Sequence, residues 1–151
     1  MSAEDPNIPG NHRNGASATI GRGTRTETIM ANGHTVITDQ PPYQNGTNEG
    51  AAPVDLMLAS LVACKASVMR KFADRKGYPM ESATIYAQWI KSGKPDVPDT
   101  IRCEVNIAGD LTDDQKKRIY AASNACPVQR IFATASTIES VITSTPAQPA
   151  I

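Results

Sequence analysis

The hydrophobic and polar positions change period along the chain, and the changes mark out its elements. Ala18 to Arg25 and Thr26 to Ala31 are rich in Thr and Ile, which predicts two strands. Asn32 and Gly33 supply the two positive-φ residues of a tight hairpin turn, and His34 to Thr38 continues as the partner strand. Pro41 and Pro42 end it. Residues 43–52 form a polar, glycine-bearing loop. A long helix follows over Pro53 to Lys76. Proline suits its first position, and Asp55 at the start and Arg70, Lys71, Arg75 and Lys76 in the last turns complement the helix dipole. Gly77 caps it and Pro79 prevents its continuation.

Two more strands follow, with Ala83, Ile85, Ala87 and Trp89 on one face of the first. Ile101, Cys103, Val105 and Ile107 line one face of the second, and the Lys91–Asp99 segment connects them. Thr112 and Gln115 have capping-box spacing and open a helix through about Asn124. Cys126 and Pro127 start another, with Val128 to Ala133 inside it. Thr134 to Ser144 reads as a closing Thr/Ile/Val-rich strand. The order β-β-β-α-β-β-α-α-β predicts an α+β fold rather than a doubly wound one.

The long helix poses a problem of cover. At 24 residues it is a rod about 36 Å long, and Leu56 to Cys64 is apolar nearly all round. A domain of this size has a radius of gyration of about 15 Å, so the rod crosses all of it. Such a helix calls for cover on several sides, by a wrapping sheet or by a second subunit.

Composition narrows the classes. The chain has 151 residues, with fifteen Lys and Arg against fifteen Asp and Glu. That neutrality gives no support for nucleic-acid coating or for a polybasic membrane binder. One domain over residues 16–144 is expected, with a flexible arm at 1–15 and a flexible tail at 145–151, both poor in groups to bury. The apolar stretch Leu56–Cys64 is far shorter than the roughly 20 residues of a membrane span. No basic-then-apolar leader opens the chain, and three scattered cysteines do not make a secreted disulfide scaffold. These readings predict a soluble, cytoplasmic protein.

Candidate chemistry centres on the cysteines. Cys103 sits in register on an apolar strand face and reads as a small buried hydrophobe. Cys126 stands where a helix N-cap would, with Arg130 one turn on. It reads either as a thiolate held by that helix end or as the last residue of the Ile119 and Ala122 stripe. Cys64 lies mid-helix, with Lys71 two turns away and Lys65 pointing elsewhere, so taken alone it reads as a structural thiol. No metal site is expected, because Cys-x-x-Cys is absent and His12 and His34 fall outside ligand spacing. Gly21 and Gly23 lie within strand sequence, not in a phosphate loop, and Gly-x-Ser-x-Gly is absent.

The run from Asp55 to Cys64, preceded by Pro53 and a glycine-bearing loop, resembles the first cysteine motif of OsmC/Ohr-type proteins. So does Phe72 to Glu81, and Cys126-Pro127-Val128 resembles the second cysteine motif. The resemblance covers roughly residues 18–143. It implies antiparallel sheets wrapped around long central cysteine-bearing helices, completed as an intertwined homodimer. It implies a thiol-dependent reduction of organic hydroperoxides in oxidative or osmotic stress defence. Cys64 would be the peroxidatic thiolate and Cys126 its disulfide partner. No tightly bound cofactor is implied, only an external lipoyl-type dithiol.

The family's thiolate-stabilising arginine falls on Arg25, in preference to Arg22. Its glutamate normally lies ten residues before the first cysteine. That position here is Val54, with Asp55 next to it and Glu49 in the loop. This departure points to the broader OsmC-like branch rather than a typical Ohr. Two other readings are a binding protein of the same fold that takes a small lipophilic ligand, and a structural, stress-associated protein with inert thiols.

Overall fold

A computed structural model describes residues 15–134, 137–142 and 144. The arm expected at 1–15 lies outside them apart from Gly15, and so does the tail expected at 145–151. Among the described residues the protein is α+β, with two antiparallel sheets and three α-helices. The chain divides into two compact units. One holds the described residues up to Asp55 and those from Glu139, and the other is Leu56–Ile138.

In the first unit, β1 (Ala16–Ile20), β2 (Thr26–Met30) and β3 (Thr35–Thr38) form a sheet in the order β1-β2-β3. Ile20 pairs with Thr26 and Thr26 with Thr38. The first strand therefore ends before Gly21, not at Arg25. Gly23 takes φ +85°, which turns the chain where the β-rich composition predicted a continuing strand. The β2–β3 connection also differs from a two-residue hairpin. Only Gly33 has positive φ, +86°, and its N–H donates to the Met30 carbonyl at 2.9 Å across a longer turn. A short 3-10 turn at Pro42–Gln44 follows.

Helix α1 spans Pro53–Lys76 as its caps predict. Its end is a Schellman motif. Gly77 at φ +65° donates to Asp74 O at 3.1 Å, and Tyr78 N–H donates to Ala73 O at 2.9 Å. In the second unit β4 (Met80–Ile90) and β5 (Thr100–Gly109) pair along their length, with a register shift between Met80 and Ser82. Ile85 faces Val105, and Ala87 faces Cys103. The alternation holds, but Cys103 is half-buried rather than buried, because its strand face is only partly covered. Helix α2 (Asp113–Ala122) opens on the predicted capping box, with both Thr112 and Gln115 bonds formed. It ends two residues earlier than expected, in a 3-10 turn at Ser123–Ala125. Helix α3 (Pro127–Ala133) then starts at Cys126.

The core of this unit is Met69 and Ala73 of α1, Met80 of β4 and Ile119 of α2. Phe72, Ile85, Val105 and Ile107 pack against it. The closing strand is not found in the described part of Thr134–Ser144. Residues 137–142 are in no strand, and Ile138, Val141 and Ile142 are exposed. A β-rich composition makes a strand only where a neighbour takes up its ladder hydrogen bonds, and these residues pair with none.

Candidate functional site: two thiols where helices meet

The local rules that end α2 and begin α3 set the second thiol in place. Cys126 is extended, at φ −61° and ψ 120°, and Pro127 fills the first helical position, where no N–H is needed. The Cys126 Sγ then caps the helix by accepting from Gln129 N–H at 3.4 Å. Cys126 is buried. Cys64 comes to the same place from the middle of α1 and is half-buried. Cys126 and the Val128 backbone are close enough to perturb its thiol. The structure thus brings together two free thiols 62 positions apart in sequence, while the third, Cys103, lies on β5.

The electrostatics of the pair are opposed. Burial pushes the Cys64 thiol up from its ordinary value, and the hydrogen bond with Cys126 adds to that. The Val128 N–H pulls the other way, charge on Cys126 raises it further, and the Lys65 ammonium lowers it. Lys65 does not point away, as its neighbouring position suggested. It lies on the buried line Leu61, Lys65, Met69 and Ala73, and its Nζ donates to Gln129 Oε1. Four-residue spacing from Leu61 and to Met69 was the signal, but a lysine in such a series is ordinarily read as surface.

The first unit carries the other predicted site residues. Arg25 Nε forms an ion pair with Glu49 Oε2 at 3.1 Å, both half-exposed, and Glu49 is the loop residue rather than Asp55 or Val54. Behind it lies a residue that sequence reasoning missed. Asp39 is buried, and its carboxylate accepts from Thr24 Oγ1 at 2.6 Å and Thr47 Oγ1 at 2.6 Å. It also accepts from the backbone N–H groups of Gln40, Thr47 and Glu49, at 2.8, 2.9 and 3.1 Å. The Thr24 and Thr47 hydroxyls, and then the Glu49 and Gln40 backbone N–H groups, hold its carboxyl well below the usual carboxylate range despite burial. Among the described residues no group of three or more His, Cys, Asp or Glu side chains could hold a metal ion. No helix there is long and apolar enough to cross a membrane.

A family model described as "OsmC-like protein" matches residues 46–141. No curated protein sequence matches the chain significantly. Solved structures resemble it at low identity. An OsmC-like protein from Mycoplasma pneumoniae has a TM-score of 0.68 at 16% identity, covering 82% of this chain and 89% of that one. An organic hydroperoxide resistance protein from Elizabethkingia anophelis has a TM-score of 0.61 at 22% identity, with coverage of 79% and 86%. An organic hydroperoxide resistance protein OsmC from Legionella pneumophila gives 0.62 at 18%, with coverage of 81% and 90%. At these identities the likeness is one of fold.

Proposed function

The chain belongs to the OsmC-like protein family, and from that premise we propose that it is a thiol peroxidase reducing organic hydroperoxides in oxidative or osmotic stress defence. The observation that carries this reading is the pair of free thiols, Cys64 and Cys126, close enough for one to perturb the other. In the proposed cycle the Cys64 thiolate attacks the distal oxygen of the hydroperoxide. The O–O bond breaks, Cys64 becomes a sulfenic acid, and the departing alkoxide takes a proton to leave as the alcohol. The Cys126 thiolate then attacks the sulfenic sulfur. An S–S bond forms and hydroxide leaves, protonated to water. An external lipoyl-type dithiol restores both thiols by exchange, supplying the two electrons that the peroxide consumed. The apolar run Leu56–Cys64 favours fatty or aryl hydroperoxides as the substrate class.

Arg25 enters as the thiolate-stabilising arginine on family resemblance, supported by its ion pair with Glu49. The protein acts as an intertwined homodimer in the cytoplasm, where thiols stay reduced. Support for the dimer comes from α1, whose Leu56, Leu58 and Val62 remain half-exposed in one chain.

The test is to mix reduced protein with cumene hydroperoxide and count free thiols. The wild type is expected to lose two, and Cys126→Ser to accumulate a sulfenate at Cys64. Unchanged thiols in the wild type overturn the cycle. One observation favours a second reading, a binding protein for a small lipophilic ligand: burial raises the Cys64 thiol, which lowers its thiolate population at neutral pH. Under that reading Cys64→Ser and Cys126→Ser retain the ligand, and hydroperoxide is not consumed.

A further inference from the structure

Lys65 is the one charged residue on the buried line of α1, and it is 4% exposed. A lysine there loses most of its hydration, which must be replaced by partners. The partner present is a neutral amide, Gln129 Oε1. Among the described residues the ion pairs are Arg25–Glu49, Arg70–Asp74 and Arg118–Asp114, and none includes Lys65. Gln129 is itself fixed on both sides. Its backbone N–H donates to Cys126 Sγ at 3.4 Å, and its Nε2 donates to Asn124 Oδ1 at 3.4 Å. One residue therefore grips the lysine head with its side chain and the second thiol with its backbone.

We propose that Lys65 is the counter-cation of the Cys64–Cys126 pair, with Gln129 positioning its ammonium so that a thiolate formed there meets a charge already in place. A thiol pair that ionises in a desolvated setting needs an opposite charge close by, because burial disfavours the anion. The titratable groups facing Cys64 in this unit are Cys126, from the α3 start, and Lys65 on its own helix, and Lys65 acts to favour the Cys64 thiolate. A buried cation beside neutral thiols is left uncompensated, and ionisation of one thiol removes that imbalance. Lys65 thus acts on the thiols electrostatically, from within the helical unit. The inference rests on the thiol-site reading for its biological use, and its electrostatic content concerns the thiols alone.

The experiment measures iodoacetamide alkylation of Cys64 in the reduced full-length protein from about pH 6 to about pH 10, resolved by peptide mass spectrometry. Lys65→Met keeps the stem and removes the charge. It is expected to slow alkylation about tenfold at neutral pH and to move the profile to higher pH by about one unit. Lys65→Arg keeps the charge and is expected to stay within about twofold to threefold of wild type. Gln129→Glu gives the ammonium a carboxylate partner and is expected to slow alkylation as Lys65→Met does. It keeps the inference open to refutation if Lys65→Met does not fold. Wild-type profiles in Lys65→Met, or in Gln129→Glu, overturn the proposal. A shifted Lys65→Met profile in a protein that consumes no hydroperoxide supports this inference and sinks the peroxidase reading. Hydroperoxide turnover with an unshifted profile does the reverse.

Discussion

Asp39 accepts five hydrogen bonds, from the Thr24 and Thr47 hydroxyls and three backbone N–H groups, and so ties residues 40–49 to the end of β3. Glu49, the partner of Arg25, is one of the residues tied. Because the carboxyl is held below its ordinary value, the folded protein favours the anion and the unfolded chain binds the proton more readily. The stability it supplies is therefore fully present above the usual value of about 3.9 and is lost as pH falls below it. Urea midpoints measured against pH should fall in the acid range more steeply for the wild type than for Asp39→Asn. At neutral pH the variant should be the less stable of the two, because an amide cannot accept from every donor around it. Parallel curves would show that Asp39 does not organise the loop. Nothing in the sequence around Asp39 marks it, because its donors Thr24 and Thr47 come from separate segments. Cys64 has the opposite sign. Its raised thiol supplies stability that is full below the ordinary value of 9.0 and is lost as pH rises past it.

At the scale of the element, local chemistry decides the ends of the helices. Helix α1 stops where Gly77 takes φ +65°, a conformation that an L side chain enters only at a cost. Gly77→Ala should lower stability by about 1 kcal/mol, read from the urea midpoint at constant slope. Thr112→Ala removes one half of the capping box on α2 and should cost about 1 kcal/mol as well, with thiol alkylation unchanged. Both elements were legible in the sequence because the residues that make each cap lie within a few positions of each other. The strand expected over Thr134–Ser144 was not, because its formation depends on a pairing partner that composition does not encode.

For the whole molecule, the core of Met69, Ala73, Met80 and Ile119 holds the helical unit, and Ile119 is its most enclosed branched residue. Ile119→Ala should cost about 2–5 kcal/mol, depending on how far the cavity collapses, measured by chemical denaturation. The proposed homodimer predicts a sedimentation mass twice the 16.1 kDa of one chain. Val62→Lys should shift that mass toward the single chain if α1 supplies the interface, and a wild-type protein sedimenting at 16.1 kDa would remove the dimer from the proposal.

Short-range chemistry controls the features that can be read along the chain. Pro53 and Gly77 bound α1, Thr112 with Gln115 opens α2, and Cys126 with Pro127 opens α3. The alternation along β4 and β5 belongs to the same class, because a strand's two-residue period needs no knowledge of its neighbour. Which distant groups meet is set by the packing of the folded chain. It placed Cys64 against the Cys126 end of α3, turned Lys65 inward to Gln129, and gathered Thr24, Thr47 and Glu49 around Asp39. Those meetings depend on packing across tens of residues. A lysine reads as surface and an aspartate as solvent-facing until the partners that replace their water are in place.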